Sequence, residues 1–219
     1  MSLDFTRQST LIPEGINRLR VTIIGAGAIG SHVAETLCKS GISELHIWDD
    51  DTVEAHNLPN QGFYLTEIGL PKVVALHDRL LLGTGVDIHA YHEKYVGGAF
   101  GTDIVVSAVD SMEVRKEIFK NFMGDSDARV FIDGRMGARF GKVLTADKEV
   151  PESVANYAST LYSDAEALQE PCTARATIFC AYGLAALICA TLVKWALEEE
   201  GAPYELSADF GNLMVLRNS

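Results

Sequence analysis

Residues 19–30 read Leu-Arg-Val-Thr-Ile-Ile-Gly-Ala-Gly-Ala-Ile-Gly, an apolar run that leads directly into three spaced glycines. The run is typical of a buried strand, and the Gly-x-Gly-x-x-Gly spacing is typical of a turn from a strand into a helix. In such a turn, the missing side chains of Gly25, Gly27 and Gly30 let the backbone approach phosphate groups, and the helix amino end offers N–H donors. The stretch therefore predicts a nucleotide-binding strand–turn–helix unit.

An acidic side chain supports the same interpretation. A second apolar strand is predicted at residues 45–48, and Asp49 follows it, 19 positions beyond Gly30. A carboxylate at that position accepts hydrogen bonds from ribose hydroxyl groups. Together these features predict an adenine nucleotide site, and they do not by themselves choose between NAD and ATP.

Short apolar runs alternate with helical patterns along the rest of the chain. This alternation predicts an α/β fold, a Rossmann-like doubly wound, mostly parallel sheet with a C-terminal antiparallel extension. We expect a single domain over residues 1–219, with a core at about 18–150, a connecting or crossover loop at 151–171 and a helix and hairpin at 172–219. Further strands are predicted at 86–90, 104–108, 130–133 and 142–146, and helices at 28–40, 72–82, 111–122 and 176–199.

The composition restricts the function. The chain has 219 residues and a formal net charge of −12, so a broad surface for nucleic acid or for a membrane is not expected. Residues 176–193 carry no charge, which is at the threshold for a membrane-spanning helix, but their many small side chains favour a buried helix packed closely against another. The first residues do not resemble a signal peptide, and we expect a cytoplasmic protein.

Residues 49–61 read Asp-Asp-Asp-Thr-Val-Glu-Ala-His-Asn-Leu-Pro-Asn-Gln, which a dehydrogenase interpretation leaves unexplained. This stretch resembles the ThiF/MoeB and ubiquitin-activating-enzyme superfamily, in which an acidic-x-acidic strand end precedes Val and then Asn-Leu-x-Arg-Gln. The resemblance continues through Ile-Gly-Leu-Pro-Lys at 68–72 and Val-Val-Ser-Ala-Val-Asp-Ser-Met-Glu-Val-Arg at 105–115. An Arg-Gln pair at 7–8 resembles the pair that precedes the first strand in that superfamily.

The resemblance implies ATP-dependent adenylation of a C-terminal carboxylate on a small ubiquitin-like or Gly-Gly-ending protein or peptide. It implies ATP and Mg²⁺ at the site, a homodimer, and in some relatives a following thioester or sulfur-transfer step. The implied catalytic residues are Lys72, Asp110 and Arg115, with Asp110 as the Mg²⁺ ligand or as a helix N-cap. The implied nucleotide-binding residues are Gly25, Gly27, Gly30, Asp49, Asp51, Asn57, Gln61, Lys72 and, from a partner subunit, Arg7.

The sequence departs from the superfamily pattern in its cations and its cysteines. Asn60 stands where the superfamily commonly has Arg, so one phosphate-binding cation is missing, and Arg115, Arg135 or Arg139 are the candidates to replace it. The chain has no Cys-x-x-Cys pair, so no zinc is expected, and its six histidines show no metal-ligand spacing. Cys172 is a tentative nucleophile at a predicted helix start, or a packing residue. The other cysteines, predicted to lie in the core, are Cys38, Cys180 and Cys189.

Two alternative functions remain open from the sequence. Asn60 is also compatible with an adenylation-weak, nucleotide-binding scaffold or regulatory subunit of the same fold. The glycine turn alone is compatible with a small NAD-dependent oxidoreductase, although no catalytic Tyr/Lys or His/Asp arrangement is evident.

Overall fold

The structure, a computed structural model, describes residues 3–162, 176–198 and 203–218, and its centre is a mixed sheet. The described strands are β1 (Arg20–Ile24), β2 (Glu44–Trp48), β3 (His89–Tyr91), β4 (Ile104–Ser107), β5 (Val130–Gly137), β6 (Phe140–Asp147), β7 (Glu205–Asp209) and β8 (Met214–Asn218). They form one sheet in the order β3-β2-β1-β4-β5-β6-β7-β8. The strands β1 to β5 are parallel, and the last three are antiparallel to their neighbours.

Helices cover both faces of this sheet. They are α1 (Gly30–Lys39), α2 (Lys72–Thr84), α3 (Met112–Gly124), α4 (Pro151–Ser159) and α5 (Ile178–Ala196). Side chains of α1, α2 and α5 form one core with Val21 and Ile23 of β1. Aromatic side chains of α3 and α4 form a second core with Ile24 on the opposite face. Both faces of β1 are buried from Val21 to Ile24, which explains why this strand is mostly apolar.

The expected fold class is confirmed, and one predicted strand is shifted. Residues 86–90 were expected to be extended, whereas β3 starts only at His89. The helix before it continues to Thr84 and ends at Gly85 in the left-handed conformation (φ 77°). The Val86 N–H then donates to Thr84 Oγ1 (3.2 Å), so the chain is still turning where the strand was predicted. The connection predicted at 151–171 contains α4.

The apolar helix α5 packs against α1 and against β5 and β6. By length and composition it is the one helix in the described ranges that could cross a membrane. One side of it is buried in the core through small and branched side chains such as Ala181, Ala185 and Ile188. A Cβ atom on Gly183 would lie 2.1 Å from the Phe210 ring, so the small residues allow the close packing that the sequence predicts.

The sheet order brings the site residues to one edge. Strand β1 lies between β2 and β4, and all three are parallel. Their carboxyl ends therefore open at the same edge, which is where open α/β sheets bind ligands. The glycine turn follows β1, Asp49 follows β2, and Asp110 follows β4.

Candidate nucleotide-binding site

The three glycines of the turn have different physical roles. Gly25 has a φ of 96°, and a Cβ there would lie 2.7 Å from the Ala108 carbonyl oxygen. A Cβ on Gly30 would lie 1.8 Å from the Gly25 carbonyl oxygen. Both positions therefore require glycine for the backbone to pack at all. A Cβ on Gly27 would meet nothing within 4 Å, so this glycine leaves open space in front of the turn.

Asp49 connects the glycine turn to the strand beside it. Its Oδ2 accepts a hydrogen bond from the Ala26 N–H (2.7 Å), and its Oδ1 accepts one from the Asp51 N–H (2.9 Å). Burial raises the pKa of Asp49, and the nearby Lys72 charge acts in the opposite direction. Carboxylate oxygens have a second lone pair, so the two backbone bonds leave acceptor capacity for ribose hydroxyls.

Lys72 is the buried cation of the site. It is the first residue of α2, and only 5% of it is exposed. Its Nζ donates to Asp51 Oδ2 (2.7 Å), and its backbone N–H donates to the Asp51 carbonyl oxygen (2.9 Å). The Asp51 side chain is 68% exposed. The ammonium is thus fixed by the fold, while its carboxylate partner reaches solvent.

Asp110 is exposed beyond the end of β4. The sequence allowed it to cap the next helix, but the cap of α3 is Ser111, whose Oγ accepts the Val114 N–H (3.3 Å). The helix does not use the Asp110 carboxylate as its N-cap, and that carboxylate is a hard oxygen donor suited to Mg²⁺.

Arg115, five residues after Asp110, belongs to a buried ion network with Asp133 and Arg135. Asp133 is fully buried and accepts hydrogen bonds from Arg115 Nε (2.8 Å), Arg135 Nε (2.7 Å) and the Tyr157 hydroxyl (3.2 Å). A second Arg115 donor, Nη2, bonds the Val109 carbonyl oxygen (2.5 Å) and so holds the segment that carries Asp110. Two of the three arginines proposed to replace the missing superfamily cation are therefore committed to Asp133.

Arg139, the third arginine proposed to replace the missing cation, lies beside the C-terminal hairpin. Arg139 belongs to the turn between β5 and β6, and its guanidinium carbon would be 3.6 Å from a Cβ on Gly211. Hydrogen bonds from Asn212 lower the pKa of Asp209 in the C-terminal hairpin, and the Arg139 charge acts in the same direction.

The segment between β2 and α2 contains buried amides. Asn57 is 8% exposed, and its Oδ1 accepts the Glu54 N–H (2.8 Å), which closes a short 3₁₀ turn. The Gln61 N–H donates to the Asn57 carbonyl oxygen (2.9 Å). The side-chain oxygens of Asn60 and Gln61 are buried and have no hydrogen-bond partner. His56 is an exposed loop residue beside Glu54.

Arg79 is a cation that the sequence did not single out. Its guanidinium lies over the Phe63 ring (5.7 Å), and a Cβ on Gly62 would be 3.2 Å from both its Nη2 and Ser31 Oγ. The Arg79 Nε and Nη2 atoms are buried without a hydrogen-bond partner. The signal in the sequence is the spacing: seven residues after Lys72 places Arg79 on the same side of α2, two turns further on.

The N-terminal segment lies against the far end of α1. Gln8 Nε2 donates to the Lys39 carbonyl oxygen (3.1 Å), at the opposite end of α1 from the glycine turn. Arg7 is exposed. The segment therefore holds Arg7 away from the glycine turn of its own chain.

The described cysteines are core residues, as predicted. Burial raises the pKa of Cys38 to about 12 and that of Cys180 to about 11, and it also raises the pKa of Cys189. These thiols are protonated at neutral pH and are not nucleophiles. Cys172, the tentative nucleophile, lies outside the described residues.

Several known proteins resemble this chain in sequence. The sequence profile of the ThiF family matches residues 6–213. The sulfur carrier protein ThiS adenylyltransferase of Escherichia coli K12 is 33% identical over 106 residues, which are 45% of this chain and 42% of that protein. Ubiquitin-like modifier-activating enzyme 5 of Caenorhabditis briggsae is 30% identical over 122 residues, 48% of this chain and 28% of that protein. This chain therefore spans less than half the length of these relatives.

Solved structures share the fold. The crystal structure of E. coli MccB with ATP superposes with a TM-score of 0.72 at 16% identity, over 93% of this chain and 64% of MccB. The structure of PaaA gives a TM-score of 0.72 at 14% identity. At these identities the likeness concerns the fold alone. The family profile, in contrast, covers nearly the whole sequence, including the glycine turn, Asp49 and Lys72, and this chain belongs to the ThiF family.

Proposed function

We propose that this chain uses ATP to adenylate the C-terminal carboxylate of a small ubiquitin-like or Gly-Gly-ending protein or peptide. The observation that carries the proposal is the buried ammonium of Lys72 at the sheet edge that also holds the glycine turn and Asp110. Relatives named as ThiS adenylyltransferase and SAMP-activating enzyme E1 support the same activity. One continuous sheet supports treating residues 1–219 as one adenylation domain.

The glycine turn receives the nucleotide in this proposal. The open space at Gly27 lets phosphate oxygens reach the amino end of α1, where N–H groups and the helix dipole favour an anion. Asp49 is held by the Ala26 N–H in the same turn, so ribose and phosphate contacts are fixed relative to each other. The crystal structure of MccB with ATP, which shares the fold, supports ATP as the nucleotide.

Lys72 meets the main electrostatic demand of the reaction. A carboxylate must approach a triphosphate, and both are anions, so a positive charge near the α-phosphate lowers the barrier. The ammonium is already desolvated and fixed by the fold, and therefore little reorganisation opposes the reaction. Its counter-ion within the protein is Asp51, whose Oδ2 lies 2.7 Å away.

Asp110 is the residue that would hold Mg²⁺, and its exposed carboxylate fits that ion. When bound, Mg²⁺ neutralises the charge that develops on the leaving diphosphate. Arg115 acts as a positioning residue, since it bonds the Val109 carbonyl oxygen beside Asp110 and is itself held by Asp133.

Arg79 supplies the positive charge that Asn60 lacks. Arg79 is half-buried, but its Nε and Nη2 atoms are buried without a hydrogen-bond partner, which is costly in a folded protein, and a phosphate oxygen would satisfy these donors. Arg79 lies beside Ser31 in the first turn of α1, so its charge is at the phosphate end of the helix.

The substrate tail and the partner subunit would approach from the outside of this edge. The hairpin formed by β5 and β6 extends past the paired end of β4, and its turn includes Ala138 at a φ of 54°. This extension of the hairpin offers a surface against which the extended C-terminal tail of the substrate can lie. The exposed Arg7 lies at the far end of α1, a placement that suits a cation contributed to a neighbouring subunit in a homodimer.

The reaction itself is a displacement at phosphorus. A carboxylate oxygen of the substrate attacks the α-phosphorus, the bond from that phosphorus to the α–β bridging oxygen breaks, and diphosphate leaves with the electron pair. The product is an acyl-adenylate, and no proton transfer is needed when the substrate enters as a carboxylate.

ATP–diphosphate exchange tests the proposal. Purified small proteins and synthetic peptides ending in Gly-Gly are added with ATP and Mg²⁺, and exchange of labelled diphosphate into ATP is measured. Exchange is expected with a cognate tail, and Lys72→Ala or Asp110→Ala should reduce it at least tenfold. The matched control is Lys39→Ala, an exposed helix lysine paired with Glu35, which should exchange like the unmodified protein. Equal exchange by Lys72→Ala and Lys39→Ala would refute the assignment of Lys72.

An adenylation-weak scaffold is the second candidate, and Asn60 favours it. The superfamily arginine is missing at that position, and Arg115 and Arg135 are bonded to Asp133. This function predicts ATP binding without diphosphate exchange for every Gly-Gly tail tried. Calorimetric titration with ATP alongside the exchange assay separates the two functions.

A further inference from the structure

A cluster of metal-binding side chains lies on β2 and β3, away from the nucleotide edge. Glu44, His46 and His89 each present one ligand atom, and these atoms all lie within 4.8 Å of one another. The strand register pairs His46 with His89, so both rings project from the same face of the sheet. Their ring centroids are 4.4 Å apart and the rings are nearly parallel.

The distances in this cluster match a coordination shell. Glu44 Oε1 lies 3.2 Å from His46 Nε2 and 3.2 Å from His89 Nε2. In a tetrahedral site with metal–ligand bonds of about 2.0–2.1 Å, neighbouring ligand atoms are about 3.3 Å apart. The two separations from Glu44 match this value, and the two histidine ligand atoms lie within 4.8 Å of each other, so one ion can contact all three atoms after a modest adjustment.

The surroundings of His46 support a ligand role. Tyr91, one strand away, has its hydroxyl 3.2 Å from His46 Nδ1, the outer-shell contact that orients a metal-bound imidazole. The nearby positive charge of Arg20 is balanced by its ion pair with Asp103 (3.2 Å).

We propose that Glu44, His46 and His89 bind one divalent transition-metal ion of the Zn²⁺ or Co²⁺ type. Two imidazoles and one carboxylate favour such an ion over Mg²⁺, which prefers oxygen ligands. The ion joins β3, an edge strand of three residues, to β2. Strand β3 also holds Asp49, whose N–H donates to the Tyr91 carbonyl oxygen (3.2 Å). By fixing β3 to β2, the metal therefore stabilises the backbone that positions Asp49 in the proposed nucleotide site.

Metal titration of the full chain tests this site. The protein is treated with EDTA, dialysed, and titrated with Co²⁺ while the visible absorbance of the bound ion is followed; Zn²⁺ is then added as a competitor. One equivalent is expected, displaced by Zn²⁺. The main variant is His89→Ala, because that side chain is 52% exposed and its loss should not impair folding. It should abolish the stoichiometric absorbance, and Tyr91→Phe should weaken binding about tenfold.

The matched control is His92→Ala, which removes an exposed histidine three positions from His89 and should bind Co²⁺ like the unmodified chain. A second readout is local: the Trp48 ring lies 6.2 Å from His46, so Co²⁺ should quench its fluorescence in a Trp195→Phe background. Equal absorbance or quenching with His89→Ala, or no binding by the unmodified chain, would overturn the proposal. In that case the cluster is a hydrogen-bonded triad in which Glu44 accepts from both rings.

Discussion

Two alanine substitutions in the glycine turn should have different effects. Gly27→Ala is expected to weaken nucleotide binding, and Gly30→Ala is expected to destabilise the fold. The two glycines are three residues apart in the same motif, but their surroundings differ. A methyl group on Gly30 would lie 1.8 Å from the Gly25 carbonyl oxygen, and backbone atoms cannot move aside cheaply. A methyl group on Gly27 meets no atom within 4 Å and points into the space that the nucleotide is proposed to use.

The two substitutions should affect different quantities: Gly30→Ala should lower the stability of the fold, and Gly27→Ala should lower the affinity for ATP. Overpacking costs typically 1–3 kcal/mol, and a clash with backbone belongs at or above the upper end, so Gly30→Ala should lose about 3 kcal/mol. For a chain of this length, that loss lowers Tm by about 6–12 °C. Gly27→Ala should keep or slightly raise the stability, by about 0.4–1 kcal/mol, because alanine restricts the unfolded chain. It should weaken ATP binding about tenfold to a hundredfold, since one or two hydrogen bonds to a charged phosphate are lost.

Calorimetric titration with ATP and Mg²⁺, together with thermal unfolding, checks both halves. Gly83→Ala is the matched control: it lies in α2, also has open space around its Cβ, and is remote from the glycine turn in sequence. It should gain similar stability and bind ATP normally. If Gly27→Ala binds ATP as tightly as Gly83→Ala, the phosphates do not contact this turn. If Gly30→Ala unfolds at the temperature of the unmodified protein, the steric argument is wrong.

Three further substitutions test other parts of the structure. Burial lowers the pKa of His32 to about 4 from an unfolded value near 6.5, so the unfolded chain binds more protons between these values and stability should fall by about 3 kcal/mol at most as pH drops from 6.5 to 4; denaturant unfolding of His32→Gln should show a smaller loss. Asp133→Asn leaves the Arg115 and Arg135 guanidinium groups without their counter-ion and should cost about 3–5 kcal/mol, read as a lowered Tm, and an unchanged Tm would contradict the network. Arg79→Met should raise the Kd for ATP about tenfold without lowering Tm, because the lost donors have no protein partner; a lowered Tm with normal ATP binding would give Arg79 a structural role instead.

Local sequence patterns predicted the elements of this fold well. The glycine turn, the strand before it and the helix after it follow from periodicity and from the strict context of the turn. The strand predicted at 86–90 starts only at His89, because the residues directly after the end of α2 still form the turn that leaves the helix. Their side chains are equally typical of a strand, so the sequence pattern did not separate the two. The choice of Gly85 as that end depends on how far α2 packs along the sheet, which the pattern of apolar residues does not determine.

The ion-pair and ligand partners of individual side chains were much less predictable from the sequence than the helices and strands. Arg115 has the position of a catalytic cation in the sequence, but its partner Asp133 comes from a neighbouring strand, and only the sheet order brings the two together. Likewise, His46 and His89 show no ligand spacing along the chain, because the register between two parallel strands sets their distance. Arg79 was missed because its environment, not its residue type, distinguishes it from any helix arginine.

The pairing of Lys72 with Asp51 suits the proposed binding of a triphosphate by an acidic protein. The net charge of −12 repels an anion at long range, so attraction must come from charges fixed at the site itself. A buried ammonium without a partner would destabilise the fold, and Asp51 supplies that partner at a distance of 2.7 Å. Since the Asp51 side chain is largely exposed and Lys72 is not, the carboxylate can move into solvent or toward a metal ion when phosphate arrives. In the proposed function, Lys72 would then pair with phosphate in place of Asp51 without moving, and the buried charge would remain balanced with and without nucleotide.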